Sequence, residues 1–180
     1  FNKQSGQTTE KLFINARGET LDQKKSFKTP FFKGQRCLFL MSHFYEWMGT
    51  SKGKVPFAVG LKNGAPFAVG GLFQHQEVNG QERMTTTLIT TAGNRLMELV
   101  HNQGTNAGRM PVILTPEERK AWLNGDLSGE EAKTLIKSYP DDDLQTYPVE
   151  RDLTAPAKVD FKEKRALEFY AERYGFALAG

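Results

Sequence analysis

"VPFAVGLKNGAPFAVGGLF", residues 55–73, holds the pentapeptide Pro-Phe-Ala-Val-Gly twice, at 56–60 and 66–70, with Lys62-Asn63-Gly64 between the copies. Short apolar runs ending in glycine read as strands, and Asn-Gly between two such runs is the strongest short hairpin signal a sequence offers. The expectation is an antiparallel hairpin with one pentapeptide on each arm. Nothing else in the chain recurs, so the duplication reads as two sides of that hairpin rather than an architectural repeat.

Upstream, "RCLFLMSHFYEWM" (36–48) is too continuously apolar and aromatic for a half-exposed strand. It predicts a buried strand running into a turn, with "TSKGK" (50–54) as the next turn. Downstream, a second Asn-Gly at 79–80 precedes a β-branched strand ending near Thr90. Helices follow. Thr91 is the expected cap of "AGNRLMELVHN", whose Leu96, Leu99 and Val100 share a face. "TPEERKAWL" has Thr115 as N-cap, Pro116 at the first helical position and Glu118 as capping-box partner; Ser128 and Glu131 repeat the logic in "SGEEAKTLIKSY". "TAPAK" (154–158) reads as a linker, and "DFKEKRALEFYAERY" (160–174) as an amphipathic helix. The predicted class is α+β, a single domain with a mostly antiparallel, barrel-like sheet core and short peripheral helices.

At 180 residues, with 38% apolar and 25% charged residues, the composition is that of an ordinary globular domain. No apolar run approaches the roughly 20 residues that cross a bilayer, and the polar opening "FNKQSGQTTEK" is not a secretory signal. One cysteine, Cys37, and three scattered histidines exclude an internal disulfide and argue against a zinc site. A reducing, cytoplasmic setting and a monomer without metal or cofactor are expected. The net charge of +3 is compatible with a nucleic-acid ligand without demanding one. The chain opens on Phe1 rather than Met, so the protein is expected to begin upstream.

Four polar clusters stand out. Asn15, Arg17 and Glu19 in "INARGETL" (14–21) occupy every second position, which on a strand puts an amide, a guanidinium and a carboxylate on one face. Glu46 sits inside "HFYEW", where partial desolvation would raise its pKa towards the range useful for proton transfer. His101 follows the apolar stripe of its helix, at the end that favours an imidazolium. Arg109 opens "RMPVIL". Each has a structural alternative: a carboxylate bonded to backbone, a capping histidine, a surface arginine, a plain Arg17–Glu19 ion pair. His43 and His75 read as structural, and Cys37 as a small hydrophobe.

Taken in order, "NARGET" (15–20), "RCL" with "FYEW" (36–47), "TTAGN" with "VHN" (90–102) and "RMPVIL" (109–114) resemble the successive signatures of the SRAP (SOS response-associated peptidase) family. The resemblance runs from about residue 13 to about 150. It implies an SRAP domain over 1–153 that lacks its N-terminal part, with residues 154–180 as linker and C-terminal helix. The family binds single-stranded DNA carrying an abasic site. Its N-terminal cysteine closes a thiazolidine ring on the open sugar, in the DNA-damage and SOS response. By motif, the resemblance implies that Asn15 positions that cysteine, Glu46 shuttles protons, His101 assists at the sugar and in reversal, and Arg17 and Arg109 hold phosphates. Tyr45, Trp47, Thr91 and Asn94 are supporting positions, and we expect Glu19 to orient Arg17. Such a protein would be cytoplasmic, at the nucleoid when bound to DNA.

Two departures are visible. No cysteine precedes "NARGET", so the nucleophile is expected upstream of Phe1, and residues 1–180 alone are not expected to form the link. His43 stands where the family commonly has glycine, next to the segment presenting Glu46. Two other readings stay open: a thiol peptidase with Cys37 activated by His101, and a single-stranded DNA-binding module without chemistry.

Overall fold

The computed structural model describes residues 2–4, 7–9, 14–78 and 80–149. Two short strands, β1 (Asn2–Gln4) and β2 (Gln7–Thr9), pair with each other. There follow β3 (Asn15–Arg17), a 3-10 turn (Gly18–Thr20), α1 (Lys25–Phe32), β4 (Arg36–Met41), β5 (His43–Thr50), β6 (Gly53–Leu61), β7 (Phe67–Val78) and β8 (Gln81–Ala92). The chain continues through α2 (Arg95–Val100), β9 (Arg109–Pro111), β10 (Ile113–Leu114), α3 (Pro116–Leu123), α4 (Gly129–Thr134), a 3-10 turn (Asp141–Asp143) and β11 (Leu144–Pro148). The class is α+β. The predicted linker and helix from residue 154 lie outside the described residues.

The doubled pentapeptide does not form the predicted hairpin. Its first copy lies in β6, which pairs with β5 and β11 in a three-stranded sheet. Its second copy lies in β7, which pairs with β4, β8 and β10 in the larger sheet. Asn63-Gly64 is a real turn, with Gly64 at φ 70° and its N–H on the Leu61 carbonyl, but it carries the chain from one sheet to the other. β7 and β8 do form an antiparallel hairpin, with Val78 opposite Gln81 and Gly80 between them at φ 75°; Asn79 lies outside the described residues.

The segment 36–48 likewise divides between the sheets, β4 in the larger and β5 in the smaller, instead of one strand entering a turn. Both capping boxes form as expected, at Thr115/Glu118 and Ser128/Glu131. The cap of α2 is Asn94, whose side chain accepts from the Met97 amide; Thr91 is still inside β8, buried opposite Met110. That start turns Met97 and Val100 inward and leaves Leu99 exposed, so the predicted face is rotated.

The apolar residues form two clusters on the two faces of the larger sheet. Val55, Phe57, Val59, Phe67, Val69, Met97, Val100 and Met110 fill the space between the sheets and under α2. Leu21, Phe31, Leu72, Ile89, Val112, Leu114 and Trp122 pack under the helices on the far side. This is why β6 and β7 read as continuous apolar runs: both faces are covered. Gly70, which ends the second copy, and Gly71 after it serve close approach. Gly70 lies under the Trp122 indole, and a methyl on Gly71 would run into the Phe39 ring.

Arg36 ties the helical layer to the sheet. It is buried, with Nε donating to the Trp122 carbonyl (2.7 Å) and Nη2 to those of Asn124 (2.8 Å) and Leu127 (2.9 Å). A helix end leaves its last carbonyls unpaired, and a guanidinium there satisfies them and meets the negative end of the helix dipole. Arg36→Ala strands all three acceptors at once. Urea unfolding should show a loss of about 3 kcal/mol, with Arg36→Lys recovering only part, because one ammonium cannot span the three carbonyls.

Candidate active site

β5 separates two chemistries by alternation. Phe44 and Met48 point into the inter-sheet core, and Glu46 between them shares that face. His43, Tyr45 and Trp47 take the other face. Because Glu46 stands at the rim of an apolar cluster, burial pushes its carboxyl up from the ordinary value, and the nearby His101 pulls it back only in part.

His101 reaches Glu46 from α2. Met97 and Val100 anchor that helix in the core, and His101 is its C-cap, with its N–H on the Met97 carbonyl. Its Nδ1 lies 3.6 Å from Glu46 Oε2 and 3.3 Å from the Arg109 carbonyl oxygen. A carbonyl can only accept, so that contact puts a proton on Nδ1 and leaves Nε2 with the lone pair in the neutral ring. A carboxyl with a raised pKa beside an imidazole is a pair able to give and take a proton.

The two arginines stand on strands flanking the end of β8. β3 runs parallel to β8 with Arg17 opposite Thr90, and β9 runs antiparallel with Arg109 opposite Ala92. The strand expected to carry Asn15, Arg17 and Glu19 ends at Arg17, and Glu19 belongs to the 3-10 turn that follows. Glu19 does not orient Arg17. Its carboxylate takes a two-pronged bond from Arg109, Nη1 at 3.2 Å and Nη2 at 2.8 Å, together with the Ala92 amide at 3.1 Å. Partial burial works to raise the Glu19 carboxyl, but the Arg109 fork and the amides outweigh it and hold it below the ordinary value. Arg109 also bonds Thr90 through Nε and Nη2, so most of its donors are already engaged.

Arg17 is exposed and donates through Nη2 to Asn106 Oδ1 (2.6 Å) and the Thr105 carbonyl (3.3 Å). Asn15 is exposed on the same strand and, among the described residues, makes no hydrogen bond to Glu46 or His101. Asn94 caps α2 and donates to the Tyr139 carbonyl. Tyr45 accepts or donates to His43 Nε2 at 2.7 Å, with the two rings edge to face, and Ser42 Oγ meets His43 Nδ1 at 2.8 Å. His43 therefore braces the face opposite Glu46. Trp47 is 38% exposed. His75 pairs with Glu82 across the β7–β8 hairpin.

Sequence reading missed the residues that hold the loop after His101, chiefly Asn102, although it adjoins His101 in "VHN". Cys37 has its thiol pushed up by burial, and its neighbour Arg36 is committed to the end of α3. Among the described residues no group of three or more His, Cys, Asp or Glu could hold a metal ion, and no helix is long and apolar enough to cross a membrane.

A carboxyl whose pKa is raised by folding binds its proton more tightly in the folded state, so stability falls as pH climbs from about 4.5, the ordinary value, through the folded pKa. Glu46→Gln removes that loss. The variant should unfold at higher urea than the parent at pH 8, with the gap narrowing towards pH 4.

The chain's residues 1–156 match the family described as SOS response associated peptidase (SRAP). The abasic site processing protein YoqW of Bacillus subtilis is 38% identical over 146 residues, covering 79% of this chain and 62% of that protein. The abasic site processing protein HMCES of Xenopus tropicalis is 30% identical over 156 residues, covering 75% of this chain and 44% of that protein. The chain thus spans less than two thirds of the length of these relatives. A crystal structure of a protein from Bacteroides thetaiotaomicron superposes with a TM-score of 0.71 at 32% identity, over 77% of this chain and 59% of that one. A protein from Bordetella bronchiseptica gives 0.69 at 27% identity, over 76% and 64%. The family match over residues 1–156 takes in both sheets, Glu46, His101 and the two arginines, and the chain belongs to the SRAP family.

Proposed function

We propose that this chain is the larger part of a protein that captures abasic sites in single-stranded DNA by a covalent thiazolidine link. The contact between Glu46 and His101, 3.6 Å apart beside the Arg109 strand, is the observation that carries the reading. The names of the relatives, abasic site processing proteins, support DNA carrying such a lesion as the partner.

In this reading an N-terminal cysteine, which would precede Phe1, supplies both nucleophiles. Its α-amine adds to the C1′ aldehyde of the opened sugar, the carbinolamine loses water, and the thiol adds to the resulting C=N carbon to close the five-membered ring. One water leaves in total. Protons must move at ring opening, at loss of water and at thiol addition, which is work for Glu46 and His101. Asn15 would orient the cysteine. Arg17 would grip a phosphate, giving up Asn106 and Thr105; Arg109 could do so only by releasing Glu19, so its first task is to hold β9 and the carbonyl that His101 uses. The exposed Trp47 offers a flat surface for a base. The internal Cys37 has no adjacent amine to complete the ring, and its raised thiol pKa counts against peptidase chemistry at that residue.

The test is a denaturing gel of single-stranded DNA with one abasic site, incubated with the protein expressed from its natural start codon. A covalent band is expected. It should form roughly 100-fold more slowly with Glu46→Gln and at an unchanged rate with Cys37→Ser. A natural-start protein that never shifts the DNA overturns the reading, and loss of the band in Cys37→Ser moves the chemistry to that thiol. Arg17→Ala should weaken binding to undamaged single strands and reduce the slope of log K against log salt by about 0.7.

A further inference from the structure

We infer that Asn102 is the positioning residue of the Glu46–His101 pair: its side-chain amide grips the open edge of β5 and so sets how closely the carboxylate on β5 meets the imidazole at the end of α2. The inference rests on the reading of those two residues as the proton-transfer pair.

β5 is the edge strand of the smaller sheet, so one of its sides has no neighbouring strand in that sheet. Gly49 turns its N–H and C=O to that side, and Asn102 takes both. Asn102 Oδ1 accepts from Gly49 N at 2.8 Å, and Asn102 Nδ2 donates to Gly49 O at 3.0 Å. This reciprocal pair is what another strand would provide. A primary amide is the neutral side chain that offers donor and acceptor side by side. The Gln103 side chain lies across Gly49, and a Cβ there would have to push its amide end aside.

The two ends of this clamp are the site itself. Asn102 is the residue after His101, and Gly49 lies three residues beyond Glu46 on the same strand. Little slack exists between clamp and pair. Without it, only the Glu46–His101 contact itself and apolar side chains deeper in the core would join β5 to the end of α2, and these fix distance less sharply than two hydrogen bonds.

Asn102 is exposed, and exposed hydrogen bonds add little to global stability. A merely structural tie and a positioning residue therefore predict different outcomes. In the natural-start protein, Asn102→Ala should unfold at nearly the same urea concentration as the parent. Its Glu46 carboxyl, followed by carbon-13 NMR, should titrate lower, towards the ordinary carboxylate range, as β5 and α2 part and water enters. Parting would also weaken the pull of His101, which lowers the Glu46 carboxyl, but burial is the larger of the two causes, so the net movement expected is downward; Asn102 itself carries no charge. The rate of attachment to abasic single-stranded DNA should fall roughly ten- to a hundredfold. Arg36→Ala is the control: it is less stable, yet its Glu46 titration should be unmoved.

The inference is overturned if Asn102→Ala leaves both the Glu46 titration and the rate unchanged. It is equally overturned if Arg36→Ala shifts them as far, since general loosening would then be the cause. Should the parent protein fail to attach to abasic DNA at all, the proposed function falls, and the Glu46 titration alone still decides the role of Asn102.

Discussion

Arg109 makes three kinds of bond in three directions, and the geometry of the site depends on all of them. Its strand pairs with the end of β8, its guanidinium holds Glu19 and Thr90, and its carbonyl oxygen meets His101 Nδ1. An ion pair at a surface is usually worth less than about 1 kcal/mol. This one is two-pronged, and the Arg109 side chain is largely buried, which favours a single geometry over a shifting one. The result is a rigid corner where β3, β8, β9 and α2 meet. Glu46 approaches that corner from the other sheet, so the site exists only because the two sheets are packed together.

That packing was the hardest part to read from residues. The two Asn-Gly pairs are alike in sequence, and Gly64 and Gly80 both stand at positive φ, yet one glycine lies in a hairpin and the other where the chain passes between sheets. A turn signal tells where the chain bends and says nothing of which strand lies next to it. The partners of β6 and β7 are set by long-range fit, with Gly70 under Trp122 and Gly71 against Phe39. The capping boxes at Thr115 and Ser128 were legible because both halves of each bond lie within four residues.

The candidate site divides along the same line. Desolvation of Glu46 could be read from its aromatic neighbours in "HFYEW". The partner of Glu19 could not, since Arg109 is distant in sequence and the chain leaves the strand at Gly18. That glycine lies so close to Ile136 that a Cβ would collide with it, and the 3-10 turn that begins there carries Glu19 towards β9. Alternation beyond Arg17 therefore predicted the wrong neighbour.

The loop between His101 and Arg109 is closed at its base. Gly108 N–H bonds the His101 carbonyl at 2.7 Å, the Gly108 carbonyl accepts from Gly93 N–H, and Asn102 is held on β5. What lies between these ties is a bight of rope made fast at both cleats: its length is immaterial to the two fixed points. Residues 103–107 can thus lengthen or shorten between homologues without moving the imidazole from the carboxylate. β5 has no such freedom, because adding one residue there would exchange the inward and outward rows and put Tyr45 or Trp47 where Glu46 stands. Tolerance of insertions should thus differ sharply between two segments that lie against each other.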